Sequence, residues 1–501
     1  MRFLPRCTSL ALALSTLITG AFAADTAGPH QTVTGDLTLD RAVDIALKQN
    51  PNMLKAIQQI ELTRGQIIQV RAQALPQISV NGLYNQTDKA LLSGSGSQSS
   101  GSQGGTSPSN GNSASGSMGE NSSGGINPKS WEVNIKGTQM LYSGGQVRAA
   151  IHIAKFTNDS SYFSLRDTVD STIATVRQNF YTVLLNRELI KVQEESVKLL
   201  GSQLKDQQNR FEAGTVPRFN VLQAEVALAN QQPVLIRANG NYYLSLVQLA
   251  RTLSLDPGPD GRPTFTAVGE LTVSERHYGL GDAINLALEQ RPFLKVQRLS
   301  ILTQKEQVKV ALAGYQPKFY ANGGALIRSD RFSHQLDETV NGWFFGFTGQ
   351  WNIFDGLATY GAVKAARASL EQAKINYDDS VQQVQLEVQQ AHVKLQTARA
   401  TIRSGQKTVE QADEALRLAS ERLAAGAGTQ LDVLNAQVQL TTARSTELQA
   451  RADYNVALAD YDRVTATATK YAETFADPLV PRISPKNPPS PPPASAAKKQ
   501  P

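Results

Sequence analysis

The residues able to do chemistry are few and poorly grouped for it. The five histidines, His30, His152, His277, His334 and His392, are scattered through 501 residues. None forms the His-x-x-x-His pair that sets two imidazoles on one helix face for a metal, and no paired-carboxylate or nucleophile motif stands out. Each histidine reads as a surface or helix residue. The single cysteine, Cys7, precedes the apolar core of a leader and would be removed with it. The mature chain then has no thiol for a disulfide, a metal or a nucleophile, and Cys7 is misplaced for a lipid-bearing cysteine. The sequence predicts no enzyme, no catalytic residue, no cofactor and no metal. One acid has a distinctive setting: Thr429-Gln430-Leu431-Asp432 reads as a capping box opening a helix, where a carboxylate also complements the helix dipole.

The elements around these residues start with a secretory signal over residues 1–23. Arg2 and Arg6 form its basic region, Leu10 to Ile18 its apolar core, and Ala21-Phe22-Ala23 its cleavage site. That core is too short to cross a bilayer of about 30 Å as a helix, and no later stretch is a candidate. Any membrane crossing must therefore be a barrel. Losing Arg2 and Arg6 lowers the formal net charge from +6 to +4. Apart from Lys486, Lys498 and Lys499, basic residues are dispersed among acids, which argues against nucleic acid as a partner. Aromatics are scarce, while Ala, Gln, Leu, Val and Arg recur at heptad-like spacing, a composition that favours long helices.

The chain is a tandem duplication. Ala42-Val43-Asp44-Ile45-Ala46-Leu47 matches Ala283-Ile284-Asn285-Leu286-Ala287-Leu288, and Pro51 and Pro76 match Pro292 and Pro317, all at an offset of 241 (292 − 51). Later pairs, Gly144 with Gly356, Gly214 with Gly426 and Val221-Leu222 with Val433-Leu434, share an offset of 212 (356 − 144). The first copy therefore holds 29 extra residues (241 − 212) between Gly82 and Gly144. They fall in a Gly/Ser-rich segment, about 93–125, that cannot bury enough apolar surface to fold and is expected to be a mobile loop. The expected organisation is a first repeat over 24–265, a second over 266–476, and a Pro-rich disordered tail over 477–501.

Each repeat is predicted to hold a short helix, a longer helix ending at a proline, two strands, a very long helix and a return helix. The strands are expected at about 77–86, 131–141, 318–328 and 343–353. Trp131, Val133, Ile135 and Leu141 alternate with Glu132, Asn134, Lys136 and Thr138; Trp343, Phe345, Phe347, Trp351 and Ile353 alternate with Gly346, Thr348, Gln350 and Asn352. A soluble core sheet would not need polar groups on the opposite face. Ten-residue strands with aromatic ends suit a tilted membrane strand, with Trp131, Trp343, Phe345, Phe347 and Trp351 facing lipid. Four strands cannot close alone, and an open edge is not tolerated in lipid. Two copies would give an eight-stranded barrel filled by side chains, and three a twelve-stranded duct.

The long helices, about 144–212 and 357–424, carry a seven-residue beat: Val169, Val176, Val183, Ile190, Val197, Leu204 and Phe211, then Val381, Val388, Leu395, Ile402, Val409, Leu416 and Leu423. Ala391, Ala398, Gly405, Ala412 and Ala419 fill intervening positions and permit close helix approach, and the strict period implies a left-handed supercoil. A coiled-coil rod explains the beat but not strands that recur in both copies. Helices fed directly by strands through Ser143-Gly144 and Asp355-Gly356 point to a helical extension of the barrel.

With these features the chain resembles the TolC-type outer-membrane efflux protein family. The likeness spans nearly the whole mature chain, through the duplicated Ala-hydrophobic-x-x-Ala-Leu-x-x-x-Pro opening and the Gly-x-x-x-x-hydrophobic-Asp/Asn-Val-Leu-x-Ala turn at 214–224 and 426–436. It implies a mixed α and β membrane protein whose homotrimer forms a 12-stranded β-barrel in outer-membrane lipid and a periplasmic α-helical tunnel. It implies a periplasmic adaptor and an inner-membrane transporter, ABC or proton-driven, as partners. By the same resemblance, Gly214, Thr215, Gly426, Ala427 and Gly428 are the helix tips that meet the adaptor. Asp432, Asn435, Asn220 and Gln223 form the pore constriction. Where the family has a second acidic ring this chain has Asn435, and Asn220, Leu423 and Gly428 stand where the family has links that hold the tip closed. The expected function is an exit duct for type I secretion or general efflux, with cargo left open between small molecules and unfolded protein. The competing expectation is a coiled-coil scaffold or adhesin that stays in aqueous extracts.

Overall fold

The computed structural model describes residues 35–86, 129–256, 258, 261–273, 279–329 and 339–467. The expected leader, Gly/Ser-rich loop and Pro-rich tail, with Cys7, His30, His277 and His334, lie outside the described residues. In chain order the elements are β1 (Gly35–Leu37), α1 (Leu39–Gln49), α2 (Pro51–Ala72), β2 (Gln77–Gln86), β3 (Lys129–Tyr142), α3 (Gln146–Glu212), α4 (Arg218–Leu253), β4 (Phe265–Ala267), α5 (Leu280–Gln290), α6 (Pro292–Leu312), a 3-10 turn (Ala313–Tyr315), β5 (Lys318–Ser329), β6 (Val340–Gln350), α7 (Ala358–Ala424) and α8 (Gln430–Val464). The helices α3 and α7 are each 67 residues long. Among the described residues no helix is long and apolar enough to cross a membrane.

Two compact units divide these elements. One takes the chain up to Ile57, Leu165–Pro292 and the chain from Gln382; the other takes Gln58–Ser164 and Phe293–Val381. In the first, three-residue strands β1 and β4 pair in parallel, Gly35 with Phe265 and Leu37 with Ala267. Their core joins Leu37, Val43, Leu47, Ile173, Val176, Phe180, Val183, Leu249 and Leu253, all buried. The seven-residue beat of α3 is deeply buried at Val169, Val176 and Val183, then half-exposed until Phe211 is exposed. In α7, Val388, Leu395 and Ile402 are buried, and so are Val384, Ala391, Ala398 and Ala412. The small residues bring α8 close: a Cβ added at Gly405 would lie 3.4 Å from the Glu447 Cβ.

The second unit is built on an antiparallel sheet in the order β2-β3-β5-β6. Its register aligns like with like: Tyr84 opposes Trp131, Val133 opposes Ile327, Ile135 opposes Ala325, and Ala325 opposes Trp343. One correction concerns the last strand. It runs from Val340 to Gln350, so the expected span of 343–353 is set too late, and Trp351 and Ile353 lie beyond the pairing. Pairing stops where Lys318, the first residue of β5, meets Gln350. Trp351 instead donates its indole N–H to the Tyr315 carbonyl at 3.1 Å.

The strand-to-helix switch needs two consecutive left-handed residues in each copy. The first copy uses Gly144 (φ 63°) and Gly145 (φ 84°); the second uses Gly356 (φ 64°) and Leu357 (φ 69°). An L side chain in this region costs about 1–2 kcal/mol. Asp355 steadies the second switch by accepting the Thr359 backbone N–H at 2.8 Å. At Gly144 space is also refused, since an added Cβ would stand 2.5 Å from the Gln316 Cβ. Leu357→Asn is expected to raise stability by about 0.5–1 kcal/mol, because asparagine accepts this conformation more readily. Gly144→Ala is expected to lower it by about 2 kcal/mol or more. Thermal unfolding in detergent, followed by the helical circular-dichroism signal, checks both.

Candidate functional site

The sheet has two chemically distinct faces. Ile78, Val80 and Tyr84 share one with Trp131, Val133, Ile135, Phe319, Ala321, Ala325, Ile327, Trp343, Phe345 and Phe347. On it Trp343 is 84 % exposed, Phe347 71 % and Phe345 64 %, and Trp131 is half-buried. Phe345 and Phe347 meet edge to face at 5.1 Å between centroids. The other face carries hydrogen-bonded polar rows. Asn81 donates to Asn134 (3.1 Å) and Asn134 to Glu132 (2.9 Å); Thr138 donates to Asn322 (3.1 Å) and Asn322 to Thr348 (3.0 Å). An apolar patch of this extent on a single chain is a surface waiting for a nonaqueous neighbour.

The two helix turns begin alike. At Gly214 (φ 72°) the Gly214 N–H donates to the Phe211 carbonyl and the Thr215 N–H to the Arg210 carbonyl, both at 2.9 Å. At Gly426 (φ 76°) the same bonds run from Gly426 to Leu423 at 3.1 Å and from Ala427 to Arg422 at 2.8 Å. This paired closure satisfies orphan carbonyls at a helix end and favours glycine in the left-handed position. The turns then differ. Helix α4 starts after Pro217, which gives no side-chain cap. Helix α8 starts with a full capping box: the Asp432 N–H donates to Thr429 Oγ1 at 3.2 Å, and the Thr429 N–H and hydroxyl donate to Asp432 Oδ2 at 2.9 and 2.7 Å.

Asp432 therefore has a structural task as well as an exposed carboxylate. The Thr429 backbone N–H, then its hydroxyl and the charge of Arg422, hold the Asp432 carboxyl below its ordinary 3.8. Its ionised form is preferred in the fold, so its contribution is complete above that pH and is lost only as pH falls through the lowered value. Asn435, one helical turn on, is exposed, whereas Asn220 and Gln223 in the first copy are half-buried. Gly428 is tightly enclosed, with an added Cβ 3.1 Å from the Leu423 backbone nitrogen.

A family-model comparison decides the kinship: the model for outer membrane efflux proteins matches residues 42–254 and 283–466. The chain belongs to the outer membrane efflux protein family. The resemblance read from the sequence is thereby established, and membership places the chain in the outer membrane as an efflux protein rather than an enzyme. Two solved structures share the fold over most of their length. The CmeC outer membrane channel of Campylobacter jejuni aligns with a TM-score of 0.71 at 18% identity, over 87% of this chain and 88% of that one. The outer membrane protein VceC of Vibrio cholerae aligns with a TM-score of 0.69 at 17% identity, over 85% and 95%. Alkaline protease secretion protein AprF of Pseudomonas aeruginosa is 24% identical over 209 residues, which is 41% of this chain and 37% of that protein.

Several polar residues of this efflux-family chain escape a reading based on apolar periodicity. Gln207 donates to Gln430 at 3.2 Å, and Gln437 donates to the Ser196 carbonyl at 3.1 Å, all in buried positions between α3 and α8. Gln430 and Gln437 are themselves seven apart, a polar beat hidden inside the apolar one. Asn50 and Arg291, the residues before the matched prolines, are buried too: Asn50 donates to the Thr252 carbonyl at 2.8 Å and Arg291 pairs with Glu387 at 2.6 Å. Asp170 is buried with neither carboxylate oxygen hydrogen-bonded. Burial raises its pKa to about 6, against the pull of Arg166, with Asp167 pushing the same way as burial. A folded-state pKa above the unfolded 3.8 means the folded chain holds a proton that the unfolded chain releases. Stability from this group is therefore lost as pH rises from about 4 to 6 and stays level above. Asp170→Asn is expected to stabilise the protein at pH 7.5 by roughly 1–3 kcal/mol and to change little at pH 4, read as the difference in thermal midpoint at the two pH values.

Proposed function

We propose that three copies pool their four-stranded sheets into a twelve-stranded barrel in outer-membrane lipid, continued by their helices as a periplasmic tunnel. The observation that carries this reading is the sheet itself: one broad apolar face, one polar face, and, among the described residues, unpaired edges at β2 and β6. Lipid cannot satisfy the backbone groups of those edges, so they must pair with other copies. Three copies leave a lumen lined by the polar rows of Asn81, Asn134, Thr138, Asn322 and Thr348, wide enough to conduct.

On this reading the duct is passive and serves a tripartite efflux or type I secretion system. A periplasmic adaptor meets the tips at Gly214, Thr215, Gly426, Ala427 and Gly428, and an inner-membrane transporter, ABC or proton-driven, supplies energy and selects cargo. The likeness to a protein named for protease secretion supports the secretion arm, and the match to the outer membrane efflux protein model supports the other. Asp432, Asn435, Asn220 and Gln223 form the narrow end. The three Asp432 carboxylates make a single acidic ring, with Asn435 adding polarity but no charge.

The test is single-channel conductance of the detergent-purified mature protein in a planar bilayer, with and without Asp432→Asn. Long-lived openings that prefer cations, and lose that preference in the variant, are expected. Openings with unchanged preference keep the duct and leave Asp432 only its capping task. A protein that stays in aqueous extracts and never conducts returns the scaffold reading.

A further inference from the structure

A charged pocket lies at the foot of the sheet, in the same unit. It is set between the start of α3 and the end of α6 and encloses about 460 Å³, with Arg148 and His152 on one helix and Glu306 and Lys309 on the other. Glu306 is buried and ion-paired through one oxygen. Lys309 Nζ lies 2.6 Å from Oε1, and His152 Nδ1 lies 3.8 Å from Oε2. The pocket thus holds two permanent cations, Arg148 and Lys309, against one carboxylate, which pairs with Lys309. Arg148 is exposed and makes no ion pair among the described residues, so the pocket carries a net positive charge at its mouth.

Tyr142 fixes the side to which this pocket belongs. After the register shift between Met140 and Tyr142, Tyr142 lies opposite Phe319, and the two rings are 6.2 Å apart. Phe319 stands on the apolar face with Ala321, Ala325 and Ile327, so the Tyr142 ring joins that face at its lower edge. Its hydroxyl reaches down to Gln316 Oε1 at 3.5 Å, on the pocket wall. A cationic pocket continuous with an aromatic, apolar surface is the arrangement that an amphiphile with an anionic head requires. The pocket is also held in shape, because the Gly144 backbone approaches Gln316 so closely that no side chain fits between them.

We propose that this pocket binds the phosphodiester of a membrane phospholipid, with its acyl chains along the apolar face of the sheet. Arg148 offers the planar, two-pronged donor that matches phosphate geometry. Lys309 adds a second charge, shared with Glu306, and the Tyr142 hydroxyl a neutral donor. A free phosphate ion would meet the same donors but would gain nothing from the apolar surface of the Tyr142 and Phe319 rings, which is why the source favoured is lipid. The proposal rests on the membrane reading given above.

Native mass spectrometry of the detergent-purified mature protein, titrated with dioleoyl phosphatidylglycerol, tests it. Retained lipid is expected in the unaltered protein and about tenfold weaker retention in Arg148→Gln/Lys309→Gln. Arg148→Lys with Lys309 intact should restore part of it, having the charge without the two-pronged donor, and Lys374→Gln, on α7 and outside the pocket lining, should change nothing. Dioleoylglycerol, which has the same tails without phosphate, should not be retained. Equal retention by the double variant, or equal retention of dioleoylglycerol, overturns the site. Protection by inorganic phosphate alone, matching that of the lipid, overturns the lipid source. Entry of each variant into vesicles and its conductance separate the two failures: a conducting protein with unchanged lipid retention loses only this pocket, whereas failure of the unaltered protein to enter lipid overturns the membrane reading and the pocket together.

Discussion

A peptide group in hydrocarbon has nowhere to place its hydrogen bond except another peptide group, and each one left open there costs several kcal/mol. In the proposed barrel, the architecture of this chain answers to that constraint. Among the described residues, β3 and β5 are paired on both sides, while β2 and β6 each keep a bare edge. The same sheet exposes tryptophan and phenylalanine on one face and ties asparagine and threonine together on the other. Its outer edges can be closed by further copies without altering either face. The register is pinned by matching rows, since a slip of one residue would turn Trp343 and Phe345 to the polar side.

A second constraint acts where strands become helices. The chain must turn within two residues, and two left-handed conformations achieve this in both copies. The first copy meets it with paired glycines. The second places Leu357 there and adds the Asp355 contacts to Thr359, so equivalent positions have reached the same geometry with different chemistry. The helix tips show the same divergence. Both close on glycine, but only the second has the Thr429–Asp432 box, and the corresponding residue in the first is Pro217, which has no N–H to offer. Duplication supplied the frame, and the two copies were then free to specialise because each occupies a different environment.

The buried polar residues complete this picture. Between α3 and α8 the contact is made by glutamine and serine side chains as well as by alanine and valine. Gln207, Gln430 and Gln437 each keep one buried polar atom without a partner. Asp170 keeps two, at a position where burial makes its charge costly. Unsatisfied groups of this kind lower stability relative to an apolar seam.

Much of this was legible in the sequence because the signals are periodic. Period-two alternation located the strands, a seven-residue beat located α3 and α7, and the repeated Ala-Leu…Pro openings exposed the duplication; each follows from local geometry that a side chain cannot evade. The capping box was legible for the same reason, since Thr429 and Asp432 are three residues apart. Other features depend on partners distant in the chain and have no local signature. The parallel pairing of Gly35–Leu37 with Phe265–Ala267 is too short to announce itself. Trp351 continued the alternation on paper, yet β5 begins at Lys318 and offers no residue for it to pair with. The ionic pocket of Arg148, Glu306 and Lys309 and the buried charge of Asp170 join helices far apart in sequence. The sequence by itself determined which segments are helix or strand and which face of each is apolar. Only the tertiary structure decided where pairing ends and which polar groups are buried together, because those outcomes belong to the neighbours a residue meets and not to the residues beside it in the chain.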